Sequence, residues 1–307
     1  MTKIIILFFV LSTSVSFLSS CRGVSTDEAT AFDVNSELAQ QVGDSMSSVD
    51  ESSGSSGNFA MMNQIKSAES SIAVFSPVKS PSKIKLLSEA ISNAYATSCF
   101  GTGFSACTSS SITRNFSSCT VGTAIFSGTI TLAFNGTNAA TCKLSGATDA
   151  VTRSPNFTIS TRYGSVAASK TGTAGQTLSY VSGATSTKVF NLTSDGLRRV
   201  VTIDGVTKSD ITTLTTSAIT VTGSDRTNRI MNGGTFRLQN NLTTERCDLV
   251  PSAVTWSGTC TCATSGSWSG TCDTKGTFTL AITGCGTANL TVGTETKAVT
   301  LTRCSGS

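Results

Sequence analysis

Hydrophobic and polar positions follow three different patterns along the chain. An apolar run begins at Ile4 and continues, with Ser and Thr interrupting it, to Leu18. Between residues 82 and 96, apolar side chains recur at three- and four-residue spacing, which predicts a helix. After Cys99 this helical period disappears, and apolar residues alternate with Thr or Ser in short segments. Such alternation predicts half-buried β-strands.

The region from Cys99 to Ser307 predicts a mainly β, antiparallel fold. Threonine suits strands because they accommodate its branched β-carbon, and its hydroxyl group tolerates a wet face. The clearest alternating segments are 128–134, 157–161, 188–192, 197–203, 218–222, 277–282 and 298–302. Asn135-Gly136, Asp195-Gly196 and Asp204-Gly205 are signals for hairpin turns with positive φ. About ten strands of this kind indicate an antiparallel β-sandwich or an open barrel.

One or two short helices are expected ahead of the β region. Ser80-Pro81-Ser82 can cap the helix at about 82–96, and a weaker pattern covers about 59–73. A third segment, at about 33–46, has apolar residues four apart. It would be marginal alone, because isolated helices shorter than about 15 residues rarely persist in water.

The first twenty residues have the features of an export signal. Lys3 supplies a positive charge, and the apolar run that follows is too short and too interrupted for a membrane span. It ends at Leu18-Ser19-Ser20-Cys21, which resembles the lipobox of bacterial lipoproteins. In that family the cysteine becomes the first mature residue and carries a thioether diacylglycerol and an amide-linked acyl chain such as palmitate. The resemblance implies lipid attachment at Cys21 and a membrane partner.

The residues after Cys21 suggest a location and a domain organisation. Arg22 follows the cysteine, whereas Asp at that position favours inner-membrane retention in enteric lipoproteins, so the resemblance implies the outer membrane of a cell envelope. The next segment is acidic and rich in Ser, which is typical of a flexible tether. The chain therefore divides into a signal peptide (1–20), a lipidated tether (21–57), a short helical region (58–98) and a Thr-rich β domain (99–307).

Composition excludes several classes of function. The chain of 307 residues contains no histidine, which removes Ser-His-Asp and Cys-His triads and histidine metal sites. Only 13% of residues are charged, which argues against nucleic-acid binding. Residues 58–307 hold 20 basic and 11 acidic side chains, a net charge of +9. This excess would suit anionic glycans, or it consists of dispersed charges that keep a Thr-rich surface soluble.

The cysteines indicate disulfide bonds. Removing Cys21 leaves ten, in two even groups, and exported proteins oxidise such thiols. The groups are Cys99, Cys107, Cys119 and Cys142, and then Cys247, Cys260, Cys262, Cys272, Cys285 and Cys304. Spacing alone leaves the connectivity open, and we expect Cys119–Cys142 and Cys285–Cys304, each closing a hairpin-sized loop.

A metal site is the alternative for the second group, with Cys260, Cys262, Cys272 and Cys285 as thiolate ligands. The Cys-Thr-Cys spacing is shorter than zinc sites favour, and neighbouring thiols pair in an oxidising compartment. We therefore expect neither a metal nor another cofactor.

Two enzymatic alternatives have partial support. Ser80-Pro81-Ser82-Lys83, Lys170-Thr171-Gly172 and Ser194-Asp195-Gly196 resemble the S-x-x-K, K-T-G and S-D-N motifs of penicillin-binding proteins, but in the wrong order and without the long helices of that family. A pair of carboxylates could also hydrolyse a glycan. The acids of the β region are Asp149, Asp195, Asp204, Asp210, Asp225, Glu245, Asp248, Asp273 and Glu295. Most of these acids border turns, where an Asp side chain commonly forms hydrogen bonds with the backbone.

The sequence favours a non-catalytic binding or adhesion-type module on a lipid-anchored envelope protein, with a glycan or envelope protein as partner. Trp256 and Trp268 are candidates for a sugar-stacking platform, although large side chains this scarce are more typical of the core. The alternatives are a purely structural envelope protein and a carboxylate-dependent glycan hydrolase.

Overall fold

The computed structural model describes residues 105–121, 124–144, 146–183, 188–223, 228–257, 260 and 263–300. Cys21, the tether and the helices predicted at 33–46, 59–73 and 82–96 lie outside these ranges. Within them, no helix is long and apolar enough to cross a membrane.

Sixteen strands and one short 3₁₀ turn, Ala139–Thr141, form in the described part of the chain. The strands are β1 Ser111–Val121, β2 Ala124–Asn135, β3 Ala150–Thr161, β4 Gly164–Lys170, β5 Gln176–Ser182, β6 Val189–Ser194, β7 Leu197–Ile203, β8 Val206–Ser217, β9 Ile219–Thr222, β10 Ile230–Asn232, β11 Thr235–Asn240, β12 Arg246–Trp256, β13 Ala263–Cys272, β14 Gly276–Gly284, β15 Thr287–Val292 and β16 Glu295–Thr300. The prediction of a mainly β, antiparallel, disulfide-stapled fold is confirmed. The expected strand number was too low, because strands such as β13 contain few apolar residues.

All strands belong to one antiparallel sheet. The two long strands β3 and β12 each pair with two different strands along one edge, and these pairings close the sheet on itself. Along one edge β3 pairs with β5 through its first half and with β4 through its second half, while β2 covers its other edge. In the same way, β12 pairs along one edge with β11 through its first half and with β10 through its second half, while β13 pairs along its other edge. The arms β4-β7-β8-β11 and β5-β6-β9-β10 therefore both begin at β3 and end at β12. The meander β13-β14-β15-β16 extends the sheet beyond β12.

The core lies on the inward face of these strands. In β14, for example, Phe278, Leu280 and Ile282 are buried, whereas the residues between them are partly or fully exposed. The main buried apolar cluster includes residues from β5, β6 and β9 to β15. Among them are Leu178, Leu192, Val221, Met231, Phe236, Leu249, Trp268, Leu280 and Leu290. Period-2 alternation therefore assigns one face of each strand to the core and leaves the other to solvent.

Disulfide bonds join Cys107 to Cys142, Cys247 to Cys272 and Cys260 to Cys285. Cys119 is disulfide-bonded as well. The expected pairs Cys119–Cys142 and Cys285–Cys304 were wrong, because Cys142 bonds to Cys107 and Cys285 bonds to Cys260. Loop size did not identify these partners, and for the third disulfide sheet register places Cys247 directly opposite Cys272 on β12 and β13. Cys99, Cys262 and Cys304 lie outside the described residues.

Candidate binding surface

The two tryptophans cannot form a sugar-stacking platform. Trp268 is 0% exposed and Trp256 is 3% exposed. Both belong to the main apolar cluster, where Trp268 makes an edge contact with Phe236 at a ring-centroid distance of 6.0 Å. Their positions on the inward faces of β13 and β12 bury the rings, so the stacking hypothesis is wrong and the core interpretation holds.

Three of the acids stabilise the fold as anions. The hydrogen bond from Arg198 lowers the pKa of Asp210, and that from Arg237 lowers the pKa of Asp248. Burial raises the pKa of Asp195, but N–H groups of Ala174 and Gly175 outweigh this effect and lower the pKa overall. A general acid in glycoside hydrolysis needs a raised pKa, so these shifts run against that role.

Other carboxylates also hold turns. Asp149 accepts hydrogen bonds from the backbone N–H groups of Asn138 and Gly146. Glu245 accepts from the backbone N–H of Thr274 at 2.9 Å and from its hydroxyl group. Glu295 forms an ion pair with Lys297 on β16. Each of these three acids therefore has a structural partner.

Two of the motifs that resemble penicillin-binding proteins meet in space, but as packed turns. Lys170-Thr171-Gly172 begins at the last residue of β4, and Ser194-Asp195-Gly196 begins at the last residue of β6 and leads into β7. The N–H of Thr171 donates to the carbonyl of Gly196 at 2.9 Å, and the Lys170 ammonium group donates to the carbonyl of Thr173. The carboxylate of Asp195 closes the same turn, which accounts for these residues without catalysis. Ser80 and Lys83 lie outside the described residues.

A four-thiolate metal site is excluded for the described cysteines. Cys260, Cys272 and Cys285 are all committed to disulfides, so their sulfur atoms cannot serve as thiolates. One cluster of potential ligands brings Glu245 close to Cys247 and Cys272. These two cysteines are bonded to each other, and only the carboxylate remains as a ligand.

Several arginines that contribute to the positive charge do not form a basic surface patch. Arg114, Arg153 and Arg229 are 2%, 1% and 2% exposed. Arg198 is neutralised by Asp210, with its Nε 2.8 Å from Oδ1. Arg237 binds Asp248 through two contacts of 2.7 Å. Five of the arginines are therefore buried or paired with a carboxylate, which favours the interpretation of dispersed charges.

The outward face of β13–β16 carries only small, uncharged side chains among its described residues. We call this surface the hydroxyl face. Its residues are Ser267, Ser269 and Thr271 on β13, Thr277, Thr279, Ala281 and Thr283 on β14, Thr287, Asn289 and Thr291 on β15, and Thr296 and Ala298 on β16. None of them is buried. On the opposite face of the same strands lie buried side chains such as Trp268, Phe278 and Leu290.

Strand register arranges these hydroxyl groups in rows. Ser269 pairs with Thr279, Thr279 with Thr291, and Thr291 with Thr296, so one row crosses four strands. Rows of this kind repeat at about 4.8 Å between strands and about 6.7 Å along a strand. The hydroxyl groups of Thr291 and Thr296 lie 2.8 Å apart. Such a surface can donate and accept hydrogen bonds over a wide area at little desolvation cost, because it holds no charge.

The sequence contained part of this information. Alternation in Thr277 to Ile282 separates hydroxyl groups from apolar groups within one strand. It does not show that β13, β14, β15 and β16 lie side by side with their Thr and Ser residues in register. The continuous surface follows from the pairing of these strands.

Comparison with known proteins adds no relative to these observations. No family model matches the chain, and no curated protein or solved structure matches it.

Proposed function

We propose that this chain is a lipid-anchored envelope protein whose β domain is a non-catalytic module that binds a glycan through the hydroxyl face. The observation that carries the proposal is the hydroxyl face itself, a broad uncharged surface whose opposite side is packed into the core. Sugars present dense hydroxyl groups, and Ser, Thr and Asn side chains offer both donors and acceptors to them.

The support for a binding module comes from rigidity and from the roles of the acids. Disulfides tie both ends of β13 to its surroundings, through Cys260–Cys285 near its start and Cys247–Cys272 at its end. A rigid surface loses little conformational entropy when it binds an extended polymer. The lowered pKa values of Asp195, Asp210 and Asp248 favour binding over carboxylate-dependent hydrolysis.

The anchor in this proposal rests on the sequence. Leu18-Ser19-Ser20-Cys21 supplies the lipobox, and the acidic tether would hold the β domain away from the membrane. Attached acyl chains contribute about 0.8 kcal/mol per buried CH₂, so more than one chain gives stable anchoring.

The glycan proposal is tested by changing the middle of the hydroxyl face. Thr279→Lys places a long charged side chain between Ser269 and Thr291. Thr129→Lys is the matched control, since Thr129 lies on the outward face of β2 and is also partly exposed. We expect retention of the full chain on immobilised neutral polysaccharides to fall about tenfold in Thr279→Lys only, because each lost 1.4 kcal/mol weakens binding tenfold.

Two results would overturn the glycan proposal. Equal retention of both variants would exclude the hydroxyl face as the contact surface. Failure of the unmodified chain to bind any polysaccharide, together with ordered self-assembly, would instead support the structural alternative.

The anchor is tested by palmitate labelling with and without Cys21→Ser, combined with protease treatment of intact cells. Label lost in the variant would support lipidation, and cleavage on intact cells would place the β domain outside the cell. Label retained in the variant would contradict attachment at Cys21.

A further inference from the structure

An arginine and a tyrosine form a preorganised pair at the turn between β3 and β4. The guanidinium carbon of Arg162 lies 4.5 Å from the centroid of the Tyr163 ring. The same guanidinium group donates a hydrogen bond to the Tyr163 hydroxyl group. Arg162 is exposed, and Tyr163 is half-buried. Stacking and the hydrogen bond together restrict a long side chain that solvent would otherwise leave mobile.

The neighbouring hairpin supports this turn from one side. The backbone N–H of Asp204, in the β7–β8 turn, donates to the carbonyl of Tyr163 at 3.3 Å. Gly205 has no atom within 4 Å of the position that a Cβ would occupy, and Val206 is 53% exposed. The two turns therefore lie side by side, one with the Arg162–Tyr163 pair and the other with the exposed Val206.

Tyr163 differs from the other aromatic residues of the described chain. The other described aromatic rings, including Tyr180, Trp256 and Trp268, are buried in the core or packed against it. Exposing part of an aromatic ring gives up favourable burial, and Tyr and Arg are the residue types that dominate binding hot spots. The partly exposed Tyr163 side chain therefore points to a contact rather than to core packing.

Arg162 also differs from the paired arginines. Asp210 and Asp248 neutralise Arg198 and Arg237. No carboxylate within the described ranges forms an ion pair with Arg162. Its planar guanidinium group is therefore available to bind a carboxylate of a ligand. A guanidinium group can donate two parallel hydrogen bonds to the two oxygens of a carboxylate.

We propose that the Arg162–Tyr163 turn recognises a carboxylate-bearing sugar of a polysaccharide. Arg162 binds the carboxylate, and the Tyr163 ring and the Val206 side chain contact the apolar C–H face of the sugar ring. The inference rests on the proposed glycan-binding function and names an acidic sugar as part of the ligand. It adds a second contact, at the end of the domain, to the neutral hydroxyl face.

The test compares two polymers that differ only in the carboxylate. The probes are polygalacturonate and its methyl-esterified form, and the protein is the full chain with Arg162→Gln, Tyr163→Ala or Lys143→Gln. Lys143 is exposed in the loop after the 3₁₀ turn, so Lys143→Gln removes the same charge at another place. We expect Arg162→Gln, which loses a charge-assisted contact, and Tyr163→Ala, which loses the aromatic contact, each to bind polygalacturonate about tenfold more weakly, while Lys143→Gln changes little.

The outcomes separate this inference from the function on which it rests. Methyl esterification should weaken binding to the unmodified chain by a similar factor and leave Arg162→Gln unaffected. Equal binding of Arg162→Gln and Lys143→Gln would overturn the acidic-sugar site. Binding of neutral polysaccharides alone would also overturn it and leave the proposed function standing, whereas binding of no polysaccharide would overturn both.

Discussion

Phe116 and Phe157 lie on β1 and β3, which are not neighbours, and yet their ring centroids are 6.3 Å apart. Gly128 of β2 stands between them, paired in register with both residues. Because Gly128 has no side chain, the two rings can approach each other above the intervening strand. A glycine in mid-strand is thus compensated by aromatic packing across it.

We predict that Gly128→Ala destabilises the domain by about 3 kcal/mol, since backbone strain and overpacking each cost on the order of 1–3 kcal/mol. Gly128 has a φ of +103°, and a Cβ there would lie 2.2 Å from the carbonyl oxygen of Asn156. Gly205→Ala is the control, with a φ of +75° and open space around it. It should cost about 1 kcal/mol. Urea denaturation measures both, and equal losses would contradict the packing argument.

The disulfides Cys247–Cys272 and Cys260–Cys285 should contribute equally to stability. Each spans 25 residues, and the chain-entropy model assigns about 3 kcal/mol to a loop of this size. Replacing either pair by two alanines should therefore lower the free energy of unfolding by similar amounts in denaturant titrations. A much smaller loss for Cys247–Cys272, whose residues already face each other in the sheet, would show that β12–β13 contacts persist in the unfolded chain.

Stability should fall on acidification partly through Asp210. Its folded-state pKa lies below the ordinary value, so the ion pair with Arg198 stabilises the fold above about pH 4 and is lost as pH falls through the folded pKa. Because the Arg198 side chain is 45% exposed, we expect Asp210→Asn to cost only about 1 kcal/mol at pH 7. The difference from the unmodified chain should shrink as pH falls through the folded-state pKa of Asp210.

The control for this prediction is Glu295→Gln. The Glu295–Lys297 pair is 69% and 48% exposed, so its removal should have less effect. Chemical denaturation at several pH values measures these stabilities. A difference in stability between Asp210→Asn and the unmodified chain that does not change with pH would contradict the role given to Asp210.

The charges on β16 should protect the sheet from association. Within the described residues β16 pairs only with β15, and edge strands of this kind invite pairing with other chains. Glu295 and Lys297 lie on the same face of the sheet as the core residues of β15, since Lys297 pairs with the buried Leu290. We predict that Lys297→Val promotes oligomers in light scattering, whereas Lys297→Arg does not. Monomeric Lys297→Val would contradict this role.

Local alternation predicted several of the strands. The segment 197–203 coincides with β7, and 277–282 lies within β14. β12 and β13 are not among the clearest alternating segments, because Pro251 and the Ser and Gly residues of β13 obscure the period-2 pattern. The binding surfaces were harder to predict, because Arg162 and Tyr163 form a pair only once the turn between β3 and β4 is folded.

The sequence by itself determined the class of fold and the presence of disulfides, because these follow from local alternation and from composition. The tertiary structure decided which strands lie side by side. Register brought Cys247 to Cys272, aligned Ser269 with Thr279, Thr291 and Thr296, and buried Trp256 and Trp268. Pairing between distant strands depends on the packing of the whole core, and the sequence of one segment does not show which strand it pairs with.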